Sequence, residues 1–365
     1  MNSDIRNLIV YGWNDYFEKL FQQYSLDDVC PGRVVLEHKE TYRLQTQYGE
    51  LLADISGRVR YAALSREDLP AVGDWVVARP RIAEGKATIH AVLPRKSKFT
   101  RKITGGRTEE QIVGANIDTI FLVTSLNNDF NLRRLERYLA VSWESGARPV
   151  ILLSKADLCE EIEKRLAEVE SIAKGVPVHA VSVFNNEGLD PLGQYFGEGQ
   201  TIALLGSSGV GKSTLINRLT GQEVQRIQEI RQKRDRGRHT TTHRELILLP
   251  QGGLVLDTPG MRELQLWQAD EGVKQTFDDI ESLIGQCRFR DCRHQNEPGC
   301  AILRALEEGT IVHARYQNYE KLQKELRHLA LRQDYHAQRV EKEKWKKLSR
   351  MAKEKSQIKR RGGEW

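Results

Sequence analysis

The sequence predicts a multidomain chain of three unlike parts: an all-β barrel, a parallel α/β domain covered by helices on both faces, and a C-terminal α-helical domain. Three observations predict it. Between Arg33 and about Leu93 the chain runs in short β-rich segments separated by turn signals. From Asp118 to Leu256 continuous apolar strands alternate with helical stretches, the signature of a parallel sheet buried on both faces. From Glu271 onward the pattern is helical, interrupted by a tight cysteine cluster. The length of 365 residues is itself too great for one ordinary domain.

The elements follow in order. From Ser3 to Tyr24, Trp13, Phe17, Leu20 and Phe21 recur at helical spacing and predict a short amphipathic helix. The segments RVVLEH, YRLQTQ, ELLADIS, DWVVARP and ATIHAVL then read as five strands. Five strands in about sixty residues fit an OB-like barrel, a fold that commonly binds oligonucleotides. Tyr42, Tyr48, Tyr61 and Trp75 either stack on bases or belong to the barrel core. The polar, basic stretch Lys96 to Ala115 reads as a linker. Beyond it, strands are expected at Asp118–Thr124, Pro149–Ser154, Pro177–Ser182, Gln200–Leu205, Leu246–Leu249 and Leu254–Leu256, with helices at Asn131–Ser145 and Glu160–Lys174. The expected domains are 1–97, 98–266 and 267–365, with no internal repeat.

Composition narrows the function classes. An apolar fraction of 39% and a charged fraction of 29% exclude wholesale disorder. No apolar run approaches the ~20 residues that a bilayer-spanning helix needs. The start, MNSDIRNLIVYGWNDYFEKL, has no basic region leading into an uninterrupted apolar core, so no export signal is expected and a reducing cytoplasm is the expected compartment. Five cysteines then read as metal ligands or buried thiols rather than as a disulfide framework. The net charge of +6 is concentrated: Glu341 to Arg361 holds ten basic and three acidic residues, leaving the remainder slightly acidic. Such a tail either meets phosphate or is a solvated helix end. It shows too little apolar face for stable membrane insertion.

The sharpest motif is GSSGVGKS, running Gly206, Ser207, Ser208, Gly209, Val210, Gly211, Lys212, Ser213, with Thr214 opening the helix behind it. It fits the P-loop pattern between a predicted strand and a predicted helix. Its glycines let backbone N–H groups wrap phosphate, and the helix N-terminus adds its dipole. Lys212 is expected to reach the β- and γ-phosphates and Ser213 to ligate Mg²⁺. Asp257 to Gly260, DTPG, ends a strand some way downstream; Asp257 suits a Mg²⁺ ligand and Gly260 lets its N–H approach a γ-phosphate. Between them lies the basic segment Arg226 to Glu245. Thr240, Thr241 or Thr242 could supply a second Mg²⁺ hydroxyl and His239 a water-positioning group, or the whole segment is a solvated loop.

Ser154, Lys155, Ala156 and Asp157 resemble the guanine motif N-K-x-D with Ser in place of Asn. A carboxylate at Asp157 accepts two hydrogen bonds from guanine, and adenine offers no such pair. Ala180 to Val183, AVSV, ends the next strand and could serve guanine O6, although it matches the usual S-A-K poorly. The guanine motifs precede the phosphate loop, the reverse of the ordinary GTPase order, and this order resembles that of the circularly permuted GTPases. Cys287, Cys292, His294 and Cys300 are spaced C-x4-C-x-H-x5-C, three thiolates and an imidazole that suit a closed structural zinc site. Cys30 and Cys159 read as ordinary buried thiols. Arg288, Arg290 and Arg293, between the ligands, either touch RNA phosphate or are solvated.

Taken together, the barrel segments, the permuted motifs, GRHTTT and the cysteine spacing resemble the small ribosomal subunit biogenesis GTPases, the RsgA family, over roughly residues 30 to 350. The resemblance implies a cytoplasmic GTPase stimulated by the small ribosomal subunit, acting late in its maturation and binding ribosomal RNA through the barrel and the zinc domain. It assigns Ser154 to Asp157 to guanine, Gly206 to Thr214 to phosphate and the Cys/His cluster to zinc. Met261 and Arg262 follow DTPG, where a water-positioning Gln is usual, so slow turnover in isolation is expected. A monomer is expected. Two other readings stand beside this one: a passive RNA-binding assembly protein, against which Lys212, Ser213 and Asp257 argue, and a P-loop ATPase or kinase, against which Asp157 argues. The stripe Tyr316, Tyr319, Leu322, Leu326 and Leu329 is expected to pack on the zinc domain, leaving the tail lysines to meet RNA phosphate.

Overall fold

The structure is a computed structural model that describes residues 6–38, 41–63, 65–103, 109–127, 129–220, 244–250, 252–257 and 269–331. His239, Thr240, Thr241, Thr242, Gly260, Met261, Arg262 and the tail Glu341–Arg361 lie outside the described residues.

Five strands close the N-terminal barrel: β1 Cys30–His38, β2 Thr41–Thr46, β3 Gly49–Ile55, β4 Trp75–Arg81 and β5 Lys86–Val92. They run in the order β1-β2-β3-β5-β4, and β4 pairs back onto β1. Alternation along β3 sends Leu51, Ala53 and Ile55 inward, where they meet Leu44, Val76, Ala78 and Ile89. Tyr42 and Trp75 are buried, so they belong to the core rather than to a base-stacking surface; Tyr48 and Tyr61 are exposed. The predicted N-terminal helix is two short helices, Arg6–Ile9 and Asp15–Phe21. They are divided at Gly12, which takes φ +90° where its backbone meets Gly199 too closely to admit a side chain. Asn14 caps the second helix by accepting from Tyr16 N–H. Trp13 lies edge-on to Trp75 with ring centroids 4.7 Å apart, fixing these helices to the barrel's outer face.

Residues 96–115, expected as a linker, hold a hairpin, β6 Lys98–Ile103 and β7 Glu109–Ala115. Its polar composition hides two small buried patches, Phe99 with Val113 in the main core and Ile112 with Ala115 against Ala71.

The central sheet is built from β8 Thr119–Ser125, β9 Arg148–Ser154, β10 Val178–Val181, β11 Thr201–Leu205, β12 Arg244–Leu248 and β13 Leu254–Asp257. The spatial order is β10-β9-β8-β11-β13-β12, parallel except for β12. β8 is buried along its whole length, as a strand covered on both faces must be. Helix Leu132–Ser145 starts at Asn131, whose side chain accepts from Arg134 N–H, and stops at Gly146 in the left-handed region. Helices Ile162–Ile172 and Lys212–Thr220 complete the cover. β12 also pairs with β1 of the barrel, Leu36 opposite Glu245, so the two sheets share hydrogen bonds.

Helices Asp270–Thr276, Asp278–Ile284, Ala301–Glu307 and 313–331 form the C-terminal domain. Val273, Phe277, Ile280 and Ile302 pack there against Tyr316, Tyr319, Leu322 and Leu326, four members of the stripe read from sequence.

Candidate nucleotide site and metal centre

β11 is the middle of the central sheet, and the chain turns sharply at its end. Gly206 sits so close to β8 that a Cβ there would lie 2.2 Å from the Val123 carbonyl oxygen. Gly209 and Gly211 take φ +79° and +97°, conformations that L side chains rarely adopt. The residue types of the loop are thus dictated by its backbone. Lys212 opens the following helix, and its ammonium donates to the carbonyls of Gly206 and Ser207, each at 2.5 Å. Its charge is therefore held inside the curl of the loop. Ser213 and Thr214 are exposed at the helix start.

The neighbouring strand β9 ends in the residues read as a guanine motif. Ser154 is buried, and its hydroxyl lies 2.6 Å from the Val210 carbonyl and 3.3 Å from that of Thr124. The shorter bond ties the end of β9 to the phosphate loop, so serine supplies an anchor here. Lys155 turns the chain at φ +57°, Ala156 is buried and Asp157 is exposed. Asp157 Oδ1 accepts from the hydroxyl of Ser182 at 2.6 Å, and that hydroxyl accepts in turn from Asn185 N–H. Ser182 is fully buried. The AVSV segment thus acts on Asp157 through a side chain, a role that the poor S-A-K match did not reveal. Asp257 ends β13 beside β11, and its backbone pairs with Glu245.

One further contact reaches the loop from outside the motifs. Arg134, on helix Leu132–Ser145, donates to both carboxylate oxygens of Asp129 at 2.7 and 2.8 Å, and also to the hydroxyl of Ser207.

At the other end of the chain, Cys287, Cys292, His294 and Cys300 bring their donor atoms within 4.8 Å of one another. His294 Nδ1 lies 3.4 Å from Cys300 Sγ and 3.5 Å from Cys287 Sγ, and the two sulfurs are 3.9 Å apart. A tetrahedral ion with bonds of about 2.3 Å to sulfur separates its ligands by about 3.8 Å, so the donors fit such an ion. Cys300 also caps helix Ala301–Glu307. Burial opposes ionisation of Cys287, but N–H groups of Ala301 and Ile302, with hydrogen bonds from Cys300 and Cys292, together hold this thiol below its ordinary range. Desolvation pushes Cys292 up to about 11. A divalent cation would reverse that preference by taking all three sulfurs as thiolates. Arg288, Arg290 and Arg293 are exposed around the cluster. Of the other cysteines, Cys30 is buried and Cys159 half-buried.

The strand order with a phosphate loop at its centre and the guanine-type motif earlier in the chain defines a circularly permuted P-loop GTPase domain, flanked by a barrel and a helical domain that carries a Cys/His cluster. The comparisons agree. The RsgA GTPase family profile matches residues 92–267. An ABC transporter profile matches residues 189–360, a stretch that contains the phosphate loop. The small ribosomal subunit biogenesis GTPase RsgA of Opitutus terrae is 47% identical over 346 residues, covering 92% of this chain and 94% of its own. Among solved structures, YjeQ from Thermotoga maritima superposes with a TM-score of 0.63 at 28% identity, over 82% of this chain and 98% of its own. YloQ, described as a circularly permuted GTPase, shares the fold with a TM-score of 0.60 at 24% identity, over 83% of this chain and 97% of its own. The chain belongs to the RsgA GTPase family.

Proposed function

We propose that this GTPase assists late maturation of the small ribosomal subunit, that the subunit stimulates its GTP hydrolysis, and that it binds ribosomal RNA. The names of its relatives support the partner. The observation that carries the guanine-nucleotide site is the Ser154–Val210 bond, which joins the base end of one cleft to its phosphate end. Asp157, aligned by Ser182, would accept from the guanine edge, and the N–H groups of Gly206 to Thr214 would cradle phosphate. Lys212 would turn its ammonium from the loop carbonyls to the β- and γ-phosphates. Ser213 and Asp257 would hold Mg²⁺, which neutralises charge on the phosphates when bound. Thr241 is the proposed second hydroxyl, and His239 the water-positioning group.

Zinc is the proposed ion of the Cys/His cluster, since three sulfurs and one imidazole suit it and leave no open position for catalysis. Tyr48 and Tyr61 on the barrel, and Arg288, Arg290 and Arg293 beside the cluster, are exposed where RNA could meet them. No helix among the described residues is long and apolar enough to cross a membrane. A cytoplasmic monomer divided at about 97 and 266 completes the reading.

The test is GTP turnover with and without purified small subunits, with large subunits and ATP as controls. Small subunits alone should stimulate it, by as much as ~10⁵-fold for an external activator. Lys212→Ala should abolish turnover, and His239→Ala should lower the stimulated rate with nucleotide affinity intact. Tight GTP binding without stimulation would favour a passive RNA-binding scaffold, and equal use of ATP would refute the guanine assignment.

A further inference from the structure

Helix Leu132–Ser145 grips two parts of the molecule through charged side chains on opposite faces. A step of two residues turns a helix by about 200°, so Arg134 and Glu136 point to opposite sides. On one side Arg134, oriented by Asp129, donates to Ser207 in the phosphate loop. On the other, Glu136 is fully buried against the C-terminal domain. Its carboxylate accepts from Arg133 at 2.7 and 2.8 Å, from Arg315 at 2.7 Å and from Asn318 at 2.6 Å. Arg315 also reaches both carboxylate oxygens of Asp279 and the Thr276 carbonyl. Further along the same helix, Arg137 pairs with Glu325, and Glu144 accepts from Gly272 N–H at 3.0 Å. A Cβ on Gly272 would lie 2.0 Å from the Ala140 carbonyl oxygen, so the helices touch backbone to backbone.

We propose that Arg134 is a positioning residue for the phosphate loop, and that its helix makes nucleotide affinity depend on the docking of the C-terminal domain. The inference rests on the reading of Gly206 to Thr214 as the nucleotide site. A buried carboxylate shared by three donors resists sliding, because a partial shift strips it of partners without returning it to water. The helix and the C-terminal domain therefore move as one body or separate altogether. The helix is also packed on the sheet through Leu135, Tyr138 and Leu139, so undocking strips Glu136 of Arg315 and Asn318 and lets this turn of the helix shift, and Ser207 loses its donor. Linkage then makes the effect reciprocal: nucleotide that orders the loop favours the docked domain.

The test uses the full-length chain and a fluorescent GDP analogue, mant-GDP. Arg134→Gln should weaken binding about tenfold, as loss of a charged hydrogen bond implies, with the melting temperature unchanged. Arg134→Lys should recover part of that loss. Glu325→Gln, which loosens only the far grip, should weaken binding less, and the two losses should be less than additive when combined. Hydrogen exchange supplies a second readout: saturating GDP should slow the amides of residues 313–331 in the wild type and not in Arg134→Gln. Wild-type affinity in Arg134→Gln would overturn the proposal. So would strictly additive losses together with full GDP-dependent protection in that variant. A wild-type chain that fails to bind mant-GDP would refute the nucleotide site itself, a separate failure visible before any variant is made.

Discussion

The two domains flanking the nucleotide sheet are attached to it by different means. The barrel is joined chiefly by a backbone ladder, β1 on β12, to which buried Arg33 on β1 adds a bond to the Thr201 hydroxyl on β11 at 3.2 Å and Arg244 on β12 a 3.7 Å ion pair with Glu37. The C-terminal domain is joined through side chains: Glu136, Arg137 and Glu144 on one helix meet Arg315, Asn318, Glu325 and the Gly272 amide on the other side. A ladder of N–H and C=O groups tolerates most substitutions, since every residue carries the same pair. A buried carboxylate with named donors tolerates few. The first junction behaves as a continuation of the sheet, and the second as a latch that chemistry can open.

The largest expected effect lies behind the latch. Cys300→Ser removes a proposed metal ligand while leaving a hydroxyl to cap helix Ala301–Glu307, and structural zinc contributes on the order of 10 kcal/mol to small zinc modules. Metal content should fall and the C-terminal helices should lose protection from protease, while the barrel, joined at the β12 edge of the sheet, keeps its own. Next, Arg315→Met should cost about 3–5 kcal/mol, because it leaves Glu136 and Asp279 short of their shared donor. Urea unfolding followed at the C-terminal domain reads this; a loss below about 1 kcal/mol would mean that the latch is not closed in solution.

The barrel junction should respond more weakly. Arg244→Ala removes the bond to the Ile112 carbonyl and the ion pair with Glu37 while leaving the β1–β12 ladder, for about 1 kcal/mol. A loss as large as that of Arg315→Met would erase the contrast. The smallest effect is a pH dependence. Burial raises the Glu37 carboxyl above its ordinary value, against the pull of Arg244 and Arg66. The folded chain therefore keeps a proton that the unfolded chain has released. That stabilisation is full below the ordinary carboxylate range and is lost as pH rises through the raised value. Glu37→Gln should accordingly melt about 2 °C higher than wild type at pH 7 and equally at pH 4, by calorimetry.

How much of this was legible in the sequence follows from how far apart the interacting residues lie. The loop around Lys212, the Asp157 motif and the Cys287–Cys300 cluster are continuous stretches whose residue types the local backbone demands, so they can be read directly. The strands of the central sheet were equally plain, because burial on both faces leaves unbroken apolar runs. Glu136 was not legible: on an amphipathic helix it reads as a solvated charge, and its partner Arg315 stands 179 residues away. Ser182 was hidden for the same reason, 25 residues from the Asp157 carboxylate it orients. The hairpin β6–β7 was missed because its buried residues are sparse and its charged residues dominate any composition window.

The permuted chain order also decides where the flanking domains attach. The chain enters the nucleotide sheet through β8 and leaves it through β13, and these two strands flank β11 on either side. Both appended domains are thus hung from the immediate neighbours of the strand that carries the phosphate loop. In an unpermuted sheet the entrance would be the loop strand itself. Here its two neighbours carry the chain connections, like a pair of door-posts, one for each flanking domain, while β11 itself meets the barrel through the Thr201 hydroxyl, which accepts from Arg33 at 3.2 Å.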